Sequence, residues 1–66
     1  MSVAKVVEIS SDSTKSFEDA IEQGIQRAEK SLKNVKGAWI AEQKVVVDEG
    51  HIIRYRVYMR VSFILE

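Results

Sequence analysis

Residues 52–65 read IIRYRVYMRVSFIL, and this stretch decides the fold. Apolar and polar side chains alternate along it with a period of two, which is the pattern of a β-strand with one buried face. One predicted face carries Ile53, Tyr55, Val57, Met59, Val61, Phe63 and Leu65, and the other carries Arg54, Arg56, Tyr58, Arg60 and Ser62. The pattern therefore predicts a sheet whose apolar face packs against another element. The arginine-rich face lies on the opposite side of the sheet.

The segment before this strand completes a hairpin. Residues 35–47 read as a second long strand, and Asp48-Glu49-Gly50-His51 between the two is typical turn sequence, in which glycine can adopt a positive φ. A pairing of Asp48 with His51 fixes the predicted register. It places Val47 opposite Ile52, Val45 opposite Arg54, Gln43 opposite Arg56, Ala41 opposite Tyr58 and Trp39 opposite Arg60. Trp39 and the arginines then share one face of the sheet.

The N-terminal half predicts one strand and one helix. Residues 3–9 indicate a strand, and the polar cluster at residues 10–14 indicates a turn that ends it. Apolar residues then recur at helical spacing, at Phe17, Ala20, Ile21, Gly24, Ile25, Ala28 and Leu32. Ser16 is the predicted N-cap, acidic residues occupy the first turn, and Asn34 closes the helix.

These elements predict a single α+β domain over residues 1–66, with the order β-α-β-β. A three-stranded antiparallel sheet folds against one helix, and the apolar stripe of the helix faces the apolar side of the last strand. Nothing in the chain covers the opposite face of the sheet. On that face we expect Trp39, Val45, Val47 and Tyr58 among the arginines. Exposed apolar patches of this kind mark interfaces, so the chain should form a homo-oligomer.

The composition argues against several classes of function. The chain has ten Lys and Arg, ten Asp and Glu, one histidine and no cysteine. Disulfides are impossible, and one histidine without thiolates does not build a zinc site within a chain. Zero formal net charge argues against binding to nucleic acid or to an anionic membrane. The N-terminal sequence lacks the long apolar run of a signal peptide or a membrane span, so we expect a cytoplasmic protein.

No constellation of residues indicates catalysis. His51 falls in the predicted turn, and the pattern places no serine or cysteine beside it. We therefore expect a protein that is not an enzyme.

Over essentially its whole length, the chain resembles the dodecin family, whose very short β-α-β-β proteins assemble into hollow dodecamers and commonly bind flavins between subunits. The resemblance rests on Ser13-x-x-Ser16-Phe17-x-x-Ala20 at the start of the helix and on Arg27-Ala28 within it. It also rests on the closing Tyr55-Arg56-Val57-x-Met59-x-Val61-x-Phe63-x-Leu65-Glu66. The resemblance implies a homododecamer that stores or sequesters a flavin, either riboflavin or FMN.

The resemblance also implies where a flavin would bind. In the flavin-binding members, a tryptophan near the start of the second strand stacks on the isoalloxazine ring, and a glutamine in the third strand hydrogen-bonds its polar edge. These positions fall on Gly37 and Arg56, so both signature residues are replaced. Trp39 lies two residues beyond Gly37, hence on the same face of a strand. The candidate flavin-binding residues are Trp39, Arg56, Gln43, Gly37 and Tyr58.

Each of these residues also has a structural interpretation. Trp39 could pack in a subunit interface, and Arg56 could pair with an acid or stack on Trp39. Gln43, predicted opposite Arg56, could supply the hydrogen-bond acceptor that arginine lacks, or could simply be solvated. Some dodecin-like proteins without the flavin tryptophan are associated with calcium, and the hard oxygen ligands at Glu8, Asp12, Asp48 and Glu49 match no EF-hand loop. A cage without a flavin site, associated with calcium or another small ligand, is therefore the alternative.

Overall fold

A computed structural model describes residues 3–65 of the chain. It contains strand β1 (Val3–Ser13), helix α1 (Phe17–Ser31), strand β2 (Val35–Asp48) and strand β3 (His51–Leu65). The three strands form one antiparallel sheet in the order β1-β3-β2. This is the predicted β-α-β-β fold, with the arginine-rich strand at the centre of the sheet. Among the described residues, no helix is both long and apolar enough to cross a bilayer.

Strand β1 is longer than the sequence predicts. The polar residues that indicated a turn continue the strand, and Ser10, Ser11 and Asp12 pair with residues of β3. The prediction that residues 10–14 end the strand was therefore wrong. Serine and aspartate have low strand propensity, but cross-strand partners on a twisted sheet override propensity. The register places Asp12 opposite Arg56 and Ser13 opposite Tyr55.

The predicted hairpin is confirmed, and its register differs in the middle. Glu49 and Gly50 have φ of 49° and 79°, as a tight two-residue turn requires. Trp39 lies opposite Arg60 and Val47 opposite Ile52, as predicted. Between them the register shifts by one residue and later shifts back. One-residue irregularities of this kind are β-bulges, which turn every side chain between them to the other face.

Because of these shifts, three of the predicted cross-strand pairs were wrong. Arg56 lies opposite Lys44 instead of Gln43, and Tyr58 lies opposite Glu42 instead of Ala41. Val45 lies opposite Tyr55, so it belongs to the helix side of the sheet instead of the open face. The helix side is identified by Phe17, whose ring meets the Tyr55 ring edge-on at 5.2 Å.

Helix α1 packs on the sheet with the predicted apolar stripe. Its N-cap is Ser16, whose hydroxyl accepts a hydrogen bond from the Asp19 N–H at 3.0 Å. The buried line of the helix is Ala20, Gly24 and Ala28, and Phe17, Ile21 and Ile25 flank it half-buried. The helix ends at a C-cap on Leu32, two residues before the predicted Asn34. Val57, Met59 and Val61 of β3 are fully buried beneath this line.

Small residues on the helix bring it close to the sheet. A Cβ added at Gly24 would overlap Cε of Met59 and lie 3.1 Å from Cβ of Ser11. Glycine at this position therefore permits the close helix–sheet packing that buries Met59.

The end of the hairpin extends beyond the rest of the molecule. β1 makes its last pair at Ser13 with Tyr55, so residues 51–54 of β3 pair only with β2. We call residues 46–54 the hairpin arm. The chain measures 51 × 19 × 14 Å along its principal axes, with a radius of gyration of 13.5 Å. A compact domain of this length has a radius of gyration of about 11 Å, so the molecule is markedly elongated.

Candidate ligand-binding face

The sheet face turned away from α1 is the candidate site, and we call it the open face. Because residues paired across antiparallel strands share a face, its members follow from the register. From one end to the other, its cross-strand rows are Val6–Ser62–Gly37, Glu8–Arg60–Trp39, Ser10–Tyr58–Glu42 and Asp12–Arg56–Lys44. Arg54 and Val46 follow in the hairpin arm. One end of the open face is therefore apolar and aromatic, and the other is dominated by cations.

Arg56 is held by an acid of its own chain. Its Nε and Nη2 donate to Oδ1 and Oδ2 of Asp12 at 2.6 and 2.9 Å, a bidentate arrangement. Arg54 Nη1 lies 3.8 Å from the same carboxylate. The hydrogen bond from Arg56 lowers the pKa of Asp12, and the same bond raises the pKa of the Arg56 guanidinium above its already high usual value. Both groups are therefore charged across the physiological pH range.

The aromatic end of the open face carries an exposed tryptophan. Trp39 is 59% exposed, and neighbouring Val6 is 46% exposed. Together with Ile40, Ala41 and Arg60 they line an open hollow of about 510 Å³. A flat aromatic surface of this kind is suited to stacking on another planar ring.

A second hollow adjoins it along the face. It has a volume of about 580 Å³, and its polar lining comes from Glu8, Ser10, Glu42, Tyr58 and Arg60. Nε of Arg60 donates to Oε2 of Glu8 at 3.3 Å, and both side chains are largely exposed. The open face thus offers hydrogen-bond donors and acceptors directly beside the indole of Trp39.

The structure brings four of the five predicted site residues to one face. Trp39, Tyr58, Gly37 and Arg56 all lie on the open face. Gln43 lies opposite Val57 and therefore belongs to the helix side of the sheet, so its predicted juxtaposition with Arg56 was wrong. Gly37 leaves room for a side chain, because a Cβ there would meet only Ser62 Oγ, at 3.5 Å.

Sequence reasoning missed the acidic partners on this face. Asp12 and Glu8 lie opposite Arg56 and Arg60, and Glu42 lies beside Tyr58. The period-two spacing of Glu8, Ser10 and Asp12 is the signal that could have placed them on one face of a longer β1. Within residues 3–65 the structure shows no group of three or more His, Asp or Glu side chains close enough to hold a metal ion.

The fold and this face define a class: a small β-α-β-β protein with a single helix on one side of the sheet and a ligand-sized, uncovered face on the other. The Dodecin family model matches residues 3–66, and the chain belongs to the dodecin family.

Individual dodecins are similar to this chain in sequence and in structure. The calcium dodecin of Mycobacterium tuberculosis is 40% identical over 63 residues, which cover 96% of this chain and 89% of that protein. A dodecin from Streptomyces davaonensis superposes with a TM-score of 0.94 at 29% identity, covering 98% of this chain and 96% of its own. The crystal structure of the Mycobacterium tuberculosis calcium dodecin, described as having a novel calcium-binding site, gives a TM-score of 0.85 at 36% identity. That match covers 97% of this chain and 91% of the other.

Proposed function

We propose that this protein is a homo-oligomeric cage that binds a flavin between subunits on the open face, with Trp39 stacking on the isoalloxazine ring. One observation carries the proposal. Trp39 is 59% exposed on the same sheet face as Gly37 and Arg56, the positions to which the resemblance assigns the tryptophan and glutamine of the flavin-binding dodecins. The role is binding and storage, for which stacking area and hydrogen-bonding groups suffice.

Assembly is part of the proposal because the site needs a second wall. The hollow beside Trp39 is open on one side, and a flavin there would leave one of its faces in water. A second subunit placed over the open face would bury both faces of the ring and the apolar surface of Val6 and Trp39. The family resemblance predicts that this assembly is a homododecamer.

The cationic end of the face predicts which flavin binds best. Two of the five N–H donors of Arg56 are used by Asp12, which leaves donors for a ligand. Asp12 compensates one positive charge, while Lys44 and Arg54 keep this end of the face positive. A phosphorylated flavin should therefore bind more tightly than neutral riboflavin, and the preference should decrease as salt is added.

A fluorescence titration tests the proposal. Flavin emission should be quenched by the wild-type protein, weakly by Trp39→Ala, and to an intermediate extent by Trp39→Phe, which keeps an aromatic ring. Gln43→Ala is the matched control, because Gln43 lies on the other side of the sheet and should leave affinity unchanged. If wild type shows no quenching at high micromolar FMN or riboflavin, the proposed flavin site is wrong.

Restoring the family signature gives a second test of the same pocket. Gly37 has space for a larger side chain, so the double variant Gly37→Trp/Arg56→Gln should fold and should gain riboflavin affinity over wild type. A gain over both wild type and the single variant Gly37→Trp would show that the pocket geometry is retained and that Arg56 redirects it toward anionic ligands. Equal affinity in both proteins would show that the open face does not receive the ring at these positions.

A calcium-associated cage is the second candidate. Its support is the 40% identity to the Mycobacterium tuberculosis calcium dodecin over nearly the whole chain. Because the described residues of one chain hold no cluster of three acidic ligands, calcium would need ligands from more than one subunit or from water. Calorimetry with calcium, and with magnesium as the control, distinguishes this candidate. Heat with calcium alone, together with no flavin quenching, would favour it over the flavin site.

A further inference from the structure

Glu42 is a carboxylate that the β-bulge in β2 turns onto the open face. Regular alternation from Trp39 would put Gln43 on this face instead. The register shift between Ile40 and Glu42 reverses the two sides of the strand that follow it. Glu42 therefore lies opposite Tyr58 on the open face, and Gln43 lies on the helix side. The hydrogen-bond acceptor expected at Gln43 is replaced on the open face by a carboxylate.

The side chain of Glu42 differs from the other carboxylates of the open face in its pairing. Asp12 and Glu8 accept hydrogen bonds from Arg56 and Arg60. Within residues 3–65, the structure shows no salt bridge to Glu42, and the residue is exposed. An ionised carboxylate only accepts hydrogen bonds. The two oxygens of Glu42 are therefore available to a donor on a ligand.

Glu42 lies between the aromatic and the cationic ends of the open face. Its cross-strand row, Ser10–Tyr58–Glu42, has the row of Trp39 on one side and the row of Arg56 on the other. Neighbouring rows are about 7 Å apart along β3, because each is two residues from the next. Glu42 also lines the hollow of about 580 Å³ that adjoins the hollow beside the indole. A three-ring heterocycle is longer than one row spacing, so a ring stacked on Trp39 extends to Glu42.

The groups around Glu42 complement the polar edge of a flavin ring. The pyrimidine edge of isoalloxazine presents one donor, the imide N3–H, between two carbonyl acceptors. In the same hollow, Glu42 offers an acceptor and the hydroxyl of Tyr58 offers a donor. Arg60 adds the N–H groups that its bond to Glu8 does not use. Arg56 cannot bind the imide N–H, because a guanidinium carries donors only.

We infer that Glu42 accepts a hydrogen bond from the imide N–H of the bound flavin and so selects planar heterocycles that carry a free imide N–H. The two ends of the ligand are then recognised by different residues. Glu42 binds the edge of the ring, and Arg56 favours the phosphate. The inference rests on the proposed flavin function, and it deepens that function by naming the group that the ligand must carry.

Methylation of the ligand at N3 tests this contact, because it removes the N–H and keeps the stacking surface and the phosphate. The assembled protein, after removal of any flavin, is titrated with FMN and with N3-methyl FMN, and quenching gives a Kd for each. Wild type should bind the methylated ligand at least roughly tenfold more weakly, since a hydrogen bond to a charged acceptor is lost. Glu42→Met keeps the length of the side chain and removes both acceptor oxygens. This variant should bind the two ligands within about twofold of each other.

Glu22→Met is the matched control, because Glu22 is an exposed acid of α1 on the other side of the sheet. It should keep the full wild-type preference for FMN, and a loss of preference confined to Glu42→Met supports the inference. A preference that persists in Glu42→Met, is absent in wild type or disappears equally in Glu22→Met overturns the role of Glu42 and leaves the flavin site in place. Wild-type protein that does not bind FMN at all overturns the flavin proposal together with this inference.

Discussion

The side chain of Arg56 shows what single residues contribute to the open face. The sequence predicted that it either contacts ligand or pairs with an acid, and the structure supplies the acid as Asp12. The partner could not be named from the sequence, because Asp12 was assigned to a turn. Trp39, in contrast, was placed correctly on the arginine-rich face, since the register at Arg60 is unaffected by the bulges.

The pairing of Asp12 with Arg56 predicts a pH-dependent stability. Because the folded pKa of Asp12 is lowered, its stabilising effect is complete above the unfolded pKa of about 3.9 and is lost as pH falls through the lower folded value. The Tm difference between wild type and Asp12→Asn should therefore be constant near neutral pH and shrink below about pH 4. Thermal unfolding from pH 7 to pH 2.5 measures it, with Asp48→Asn in the hairpin turn as the control. A difference that stays constant down to pH 2.5 would contradict the role of this ion pair.

At the scale of elements, the β1–α1 junction depends on one buried hydroxyl. Ser13, 5% exposed, donates to Oδ2 of Asp19 at 2.6 Å and accepts from the N–H groups of Lys15 and Ser16 at 2.9 and 3.3 Å. The hydroxyl of Ser13 also lowers the pKa of Asp19. These bonds explain why serines recur three residues apart before the helix: Ser13 fixes the turn, and Ser16 caps α1.

Replacing Ser13 with alanine should destabilise the fold by about 1–3 kcal/mol, because the N–H groups that it satisfies lose their partner. Thr14→Ala is the control, since Thr14 is exposed beside it and should change stability by less than about 0.5 kcal/mol. Urea denaturation at one fixed protein concentration measures both variants, because the stability of an oligomer depends on concentration. Equal stabilities for the two variants would show that the junction does not depend on Ser13.

The close packing of α1 on the sheet leads to a second prediction about the secondary-structure elements. Gly24→Ala should gain about 1 kcal/mol in helix propensity and lose about 1–3 kcal/mol by displacing buried Met59, for a net loss near 1 kcal/mol. Gln26→Ala, at an exposed position of the same helix, should be neutral or slightly stabilising. Gly24→Ala as stable as Gln26→Ala would mean that the core around Met59 is looser than the structure indicates.

Most of the elements could be predicted from the sequence, because each has a strong periodicity. The structure confirms the strand predicted from the apolar–polar alternation of β3, the helix predicted from the apolar stripe of α1, and the turn at Glu49-Gly50. The register between Ile40 and Val47 could not be predicted, since a bulge leaves no mark in the alternation of β2. That single-residue shift is why Gln43 and Val45 lie on the helix side.

At the scale of the whole molecule, shape and surface indicate assembly. A chain 51 Å long, with an exposed tryptophan on one face and an apolar hairpin arm at one end, has more surface than one helix can cover. The sequence predicted the uncovered face from the presence of one helix. It did not predict the length of the projecting arm, because that length depends on where β1 stops pairing with β3, which is at Ser13.

Native mass spectrometry of the protein as purified tests the central claim, an assembled cage that holds a flavin, most directly. The account predicts a complex near 90 kDa, twelve times the 7.5 kDa chain, with additional mass that dissociates as a flavin upon activation. Trp39→Ala should keep the mass of the assembled protein and lose the flavin. A monomer of 7.5 kDa, or an assembled protein that carries no flavin even after incubation with FMN, would contradict the account.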